Sequence, residues 1–89
     1  CKVSSFDQAL EFANDSELGL GANIYTNDLE ETFRAVNEIE TGIVWVNTWL
    51  NRDLRTPFGG VKNSGVGREG GFEAIKFFTE SKNICIKYN

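Results

Sequence analysis

Residues 52–71 read RDLRTPFGGVKNSGVGREGG, with six glycines from Gly59 to Gly71 and four cations, Arg52, Arg55, Lys62 and Arg68. Glycine reaches backbone conformations closed to other residues, at an entropic cost. A stretch this rich in it is therefore either disordered or held in one shape for a purpose. No helix or strand period is legible from Thr48 to Gly71. Connections longer than about 12–15 residues without structure of their own are uncommon in compact domains, and are usually functional or disordered. The fold has to be built from what flanks this loop, and function is sought first within it.

The flanks are periodic. Residues 1–4 are expected as a short strand or the tail of one. SSFDQALEFAND is predicted as a helix, with Ser5 and Gln8 as its capping box. Phe6, Ala9, Leu10 and Ala13 share one face at helical spacing, and Asn14, Asp15 and Gly19 end the segment. LGLGANIYT is read as extended, with Ile24 and Tyr25 as strand formers. Asn27 is the expected N-cap of a second helix, with Glu30 at its third position. Leu29, Phe33, Val36 and Ile39 form its apolar stripe, and Gly42 is its expected stop. Ile43, Val44, Trp45 and Val46 then form an unbroken apolar run, which predicts a strand covered on both faces as in a parallel sheet. Strand, helix and strand in this order make a βαβ unit.

Beyond the loop, GFEAIKFFTE is predicted as a helix with Phe72, Ile75 and Phe78 or Thr79 on one side. SKNICIKYN is read as a strand, with Ile84, Ile86 and Tyr88 facing one way and Asn83, Cys85 and Lys87 the other. This strand either pairs within its own sheet or adds to the exposed edge of a partner. The chain thus divides into an α/β part (1–47), a loop (48–71), a helix (72–80) and a last strand (81–89).

Bulk properties exclude several classes. The chain has 89 residues, which is one small domain at most, and a net charge of −4. That balance argues against general binding to nucleic acid or a membrane surface. No apolar run is long enough to span a bilayer. There is no histidine, and the two cysteines, Cys1 and Cys85, lack partners at metal-ligand spacing. A zinc site of the Cys/His type and a Ser–His or Cys–His pair are therefore not expected within this chain. A Cys1–Cys85 disulfide is conceivable, but two reduced thiols in a cytoplasmic protein are the simpler reading. A chain that starts at Cys1 and contains no methionine is expected to be part of a longer one.

GVGREG at 65–70 satisfies G-x-G-x-x-G, yet it follows a loop rather than a strand and opens no βαβ unit, so it is not read as a dinucleotide fingerprint. The Walker pattern fails too, because Val66 stands where lysine is required. The better candidate begins at Asn47, at the carboxyl end of the predicted parallel strand, where open α/β sheets bind ligands. There Trp49 and Phe58 supply apolar walls and Arg52 and Arg55 supply cations. Arginine offers a rigid fork that fits a carboxylate. One of the two arginines is expected to anchor the loop locally, as to Asp53. Lys62, Arg68 and Glu69 are read as pins that fix the glycine loop.

NDSELGLGANIYTNDLE, TGIVWVNTW, PFGGVKNSGVGREGG and FFTESKNICIKYN resemble, in order, the carboxyl-terminal segment of the aldehyde dehydrogenase superfamily, over essentially the whole chain. RDLRTPFGG with REGG and KNICIK is most similar to the 2-hydroxymuconic and 2-aminomuconic semialdehyde dehydrogenases of aromatic degradation. A carboxymethyl-hydroxymuconic enzyme is the runner-up. The resemblance implies an α/β fold class: part of the aldehyde dehydrogenase catalytic domain, ending in an oligomerisation strand. It implies an NAD-dependent parent enzyme that oxidises a carboxylated semialdehyde, with the nucleophilic cysteine, the general base and the cofactor domain upstream. Arg52, favoured over Arg55, is implied to grip the substrate carboxylate, with Phe58 near the aldehyde and Trp49 beside them. Asn47, Gly59, Gly60, Lys62, Arg68 and Glu69 shape the loop. The last strand is implied to join a partner subunit in a homo-oligomer. The alternative is a free-standing oligomerisation module without enzyme activity.

Overall fold

The computed structural model describes every residue from Cys1 to Asn89. Helix α1 spans Phe6–Asn14, and the Ser5 hydroxyl accepts from the Gln8 amide at 3.1 Å. The Gln8 side chain reaches back to the Ser4 amide at 2.8 Å, one residue before the position a capping box predicts. Leu10 is buried and Phe6 and Ala9 half-buried, whereas Ala13 is exposed. Residues 1–4 form no strand, because no sheet edge lies alongside them to pair with.

The predicted βαβ unit is present. Strands β2 (Gly21–Ile24) and β3 (Ile43–Val46) pair in parallel, with Gly21 opposite Ile43 and Ile24 opposite Val46. Helix α2 (Leu29–Glu38) connects them. Its N-cap is Asp28 rather than Asn27: Asp28 Oδ1 accepts from the Glu31 amide at 2.9 Å. The one-residue slip follows from Thr26, whose hydroxyl accepts from the Asp28 amide and donates to Glu31 Oε2 at 2.6 Å. The helix ends at Ile39, whose amide bonds Ala35 O, so Gly42 is not its stop.

The apolar stripe of α2 is present, but most of it is uncovered in this chain. Leu29, Phe33 and Val36 are exposed, while Ala35 is fully buried and Ile39 half-buried. A small residue is what α2 buries, and its large apolar ones stay exposed. Trp45 is buried on β3, and its three neighbours in the strand are half-buried. Tyr25 lies beyond the end of β2.

The glycine loop contains more structure than its sequence suggests. Strand β1 (Leu18–Gly19) pairs antiparallel with β4 (Val61–Lys62), and Phe58 forms a bridge with Glu69. Strands of two residues are too short to show a period, which is why they are not legible. The Gly42 amide bonds Gly19 O and Leu20 O, each at 3.1 Å. The Gly59 carbonyl occupies the space that a Cβ on Gly42 would need. The loop therefore lies directly against the turn that leads into β3.

Helix α3 spans Gly71–Phe78, and its Phe72, Ile75, Phe77 and Phe78 are exposed. Residues 79–89 form no strand within this chain, and Ile84, Ile86 and Tyr88 are exposed. An alternating segment becomes a strand only where an edge is offered, and both two-stranded sheets lie elsewhere. The molecule measures 76 × 27 × 19 Å with a radius of gyration of 18.8 Å, against about 12 Å for a compact chain of this length. Cys1 and Cys85 are both free and exposed. No helix is long and apolar enough to cross a membrane.

Two outcomes follow from this packing. Replacing Asp28 with alanine should cost about 1 kcal/mol in chemical denaturation, and Asn27→Ala should be near neutral. Equal costs would place the cap wrongly. Gly42→Ala should cost about 1–3 kcal/mol or more through overlap with backbone. Gly21→Ala, whose new Cβ would lie 3.1 Å from the Trp45 ring, should cost less.

Candidate active-site wall

Asn47 ends β3 in the left-handed region, with φ of 55°, a conformation that asparagine tolerates better than most residues. Its amide nitrogen donates to Thr26 O at 2.8 Å, and its oxygen accepts from the Thr26 amide at 2.9 Å. This double bond clamps the carboxyl ends of the two parallel strands together. Asn23 adds a bond to Thr48 O at 2.7 Å. From this clamp the chain turns outward. Trp45 Nε1 donates to Asn51 O at 3.1 Å, and Trp49 meets the Trp45 ring edge-on, centroids 5.1 Å apart.

The two arginines have different surroundings. Arg55 forks onto Asp53, with Nε to Oδ1 at 2.9 Å and Nη2 to Oδ2 at 2.5 Å, and its side chain is 90% exposed. Those hydrogen bonds hold the Asp53 carboxyl below the usual aspartate range and raise the Arg55 guanidinium. Arg55 is thus the locally anchored arginine. The Arg52 side chain is 29% exposed and lies over the Phe58 ring, 4.1 Å from its centroid. Its single hydrogen bond runs from Nη2 to Glu69 Oε1 at 3.4 Å. The rest of its fork is unengaged.

Phe58 and Glu69 are themselves joined by backbone. Phe58 N donates to Glu69 O at 2.8 Å, and Glu69 N to Phe58 O at 2.7 Å. Below this bridge, Arg68 Nη1 donates to Gly60 O at 2.9 Å and Gly67 O at 2.7 Å. A Cβ on Gly59 would come within 2.5 Å of Gly67 O, so only glycine fits there. Lys62, at a φ of 52°, donates to Asn14 O and Ser16 O at 3.1 Å each and pairs with Glu40. The structure therefore brings Arg52, Phe58 and Glu69 together. It leaves Trp49 on its neighbouring tryptophan.

A cleft of about 340 Å³ opens on the other side of the bridge, lined by Phe58, Arg68, Glu69, Leu20 and Phe77 among others. Neither Arg52 nor Trp49 lines it. The start of α3 does not fit a dinucleotide phosphate. The carbonyls of Leu54, Arg55 and Thr56 crowd Gly70 and Gly71, and carbonyl oxygens there repel an anion. No three metal-ligating side chains converge. Sequence reasoning missed Thr26, Ser64, which accepts from the Gly19 amide at 2.8 Å, and Asn14. Ser64 and Asn14 bond partners more than twenty residues away, which nothing local signals, and Thr26 adds the Asn47 clamp to its local bonds with Asp28 and Glu31.

The family model described as the aldehyde dehydrogenase family matches residues 1–84. The chain belongs to this family of oxidoreductases. It is 50% identical, over 98% of its length, to the 2-hydroxymuconic semialdehyde dehydrogenase of Pseudomonas sp. (strain CF600). It is 43% identical, over 97% of its length, to the 2-aminomuconic semialdehyde dehydrogenase of Danio rerio. In each case it spans 18% of the relative's length. The solved structure of the P. syringae AldA indole-3-acetaldehyde dehydrogenase, a mutant in complex with NAD+ and IAA, superposes with a TM-score of 0.83. There the identity is 35%, over 97% of this chain and 17% of that one. The α/β elements are thus those of an aldehyde dehydrogenase.

The Asp53–Arg55 pair gives a titration to check. Because Arg55 depresses the Asp53 carboxyl, the pair's contribution is present above the ordinary aspartate range. It is lost as pH falls through the depressed value. Carboxyl-carbon NMR should find Asp53 titrating below ordinary aspartates, and Arg55→Ala should return it to them. An Asp53 midpoint that Arg55→Ala leaves unmoved would refute the pairing.

Proposed function

We propose that this segment forms the substrate-carboxylate wall of an NAD-dependent aldehyde dehydrogenase that oxidises a carboxylated semialdehyde, of the muconic type, to its acid. The observation that carries this reading is Arg52. It is a partly covered guanidinium, 4.1 Å above an aromatic centroid, with most of its donors unspent. A carboxylate approaching in the plane of the guanidinium meets two parallel N–H groups, the geometry that arginine recognises best. Arg55 lacks this capacity because Asp53 already fills its fork.

In such an enzyme a thiolate outside this segment would attack the aldehyde and water would release the acid; NAD, held by residues outside this chain, would supply the hydride acceptor. This chain orients the far end of the substrate. Phe58 supports the arginine and gives an apolar wall, while Trp49 extends the apolar surface above β3. The names of the muconic semialdehyde relatives favour a substrate with a carboxylate. Residues 81–89 would serve subunit assembly, pairing with a neighbouring subunit in a homo-oligomer. Their exposed Ile84, Ile86 and Tyr88 favour this. The same exposed residues favour a second reading, a free-standing oligomerisation module. Reading the gene upstream of Cys1 separates the two, since the module requires no frame carrying the cysteine and glutamate motifs.

In the full-length enzyme, Arg52→Ala should raise KM for a carboxylated semialdehyde far more than for a neutral aldehyde. A lost charge-assisted hydrogen bond costs about 1.5–3 kcal/mol, or roughly 10- to 150-fold. Equal effects on both substrates would exclude the carboxylate role.

A further inference from the structure

We infer that Glu69 is the positioning residue that sets Arg52 for the substrate carboxylate, and that it acts through the arginine rather than on the substrate. This rests on the carboxylate role proposed for Arg52. An arginine stacked on a ring is fixed in height above it but remains free to slide and rotate in its plane. Stacking alone therefore does not decide where the fork points. Glu69 biases that freedom toward one orientation. Its Oε1 holds one corner of the guanidinium, Nη2, at 3.4 Å.

The support under Arg52 is a single rigid unit. Phe58 and Glu69 are directly opposite each other and exchange both backbone hydrogen bonds, at 2.8 and 2.7 Å. In such a pair the two side chains project from the same face of the ladder. The ring beneath Arg52 and the carboxylate at its corner are thus carried by one bridge. That bridge is in turn pinned below by Arg68 on Gly60 O and Gly67 O. The contact at Nη2 is single and long, so Arg52 keeps donors for a second carboxylate. A bidentate pair, as at Arg55, would have closed the fork. Glu69 also sits 67% exposed, which keeps its grip on Arg52 weak enough to share.

The test is a double-mutant cycle in the full-length enzyme, with a carboxylated semialdehyde and a neutral aldehyde as paired substrates. Glutamine matches glutamate in size, and the bridge to Phe58 uses no side-chain atom, so Glu69→Gln keeps the support intact. Turnover of the neutral aldehyde by the same preparation confirms that the variant is folded. Glu69→Gln should raise KM for the carboxylated substrate roughly two- to fivefold, the range of exposed ion pairs, and leave KM for the neutral one unchanged. In the Arg52→Ala background it should add nothing, because the residue it positions is gone. A merely structural role would shift both substrates together and would persist in that background; either result overturns the inference. A fall in KM for the carboxylated substrate would also overturn it, since it would make Glu69 a competitor for the fork. If Arg52→Ala fails to discriminate the substrates, the carboxylate role itself is lost. If Arg52→Ala discriminates and Glu69→Gln does not, only the positioning role is.

Discussion

The structure depends on one close approach, that of the Gly59 carbonyl to Gly42. Because Gly42 carries no Cβ, the loop backbone lies against the turn into β3 at a distance that a side chain there would forbid. The candidate wall starts from this contact. The contact seats β4 beside β1, and that pairing brings Lys62 under the end of α1, where it bonds two carbonyls and pairs with Glu40. It also fixes the start of the segment from Phe58 to Glu69, and with it the ring on which Arg52 rests. The glycines are not a phosphate cradle. They allow backbone to meet backbone, and the loop's cations then spend their donors on the carbonyls this exposes.

That accounting separates the four cations. Lys62 and Arg68 are taken up by backbone oxygens, and Arg55 by Asp53. Arg52 and Arg68 both keep unspent donors, but Arg68 Nη1 is fixed on two carbonyls, whereas the one hydrogen bond of Arg52 is long and its guanidinium lies over a ring. Burial matters because a charge shielded from water interacts more strongly with an incoming carboxylate. A ring beneath the guanidinium provides that shielding without consuming hydrogen-bond donors, which a carbonyl could not do.

How much of this was legible in the sequence varies with the range of the interaction. The parallel strand β3 was readable because its apolar run is continuous, and the crossover helix because its flanks carry cap residues. The cap itself was misplaced by one residue, since Thr26 competes for the Asp28 amide. The apolar stripe of α2 was legible, but amphipathic spacing shows that a face is apolar, not what covers it, and here Ala35 is buried while Phe33 is exposed. The β1–β4 pair and the Phe58–Glu69 bridge were invisible, because two-residue pairings have no period. Arg52 and Phe58 were marked as candidates by their place after the parallel strand, and a resemblance favoured Arg52 over Arg55, yet nothing in the sequence joined them to Glu69, 17 residues from the arginine.

The exposed faces complete the same logic. Leu29, Phe33 and Val36 on α2, Phe72, Ile75 and Phe78 on α3, and Ile84 and Ile86 beyond it all lie open, while the buried apolar side chains are Leu10, Ala35 and Trp45. Leaving that much apolar surface in water is unfavourable by about 25 cal/mol for every Å² that burial would remove. The chain spans 18% of the length of relatives that it matches along almost all of its own sequence. The elongated shape has a physical reason: short-range pairings hold the loop and the βαβ unit, while the apolar faces of α2, α3 and the last residues find no cover within this chain.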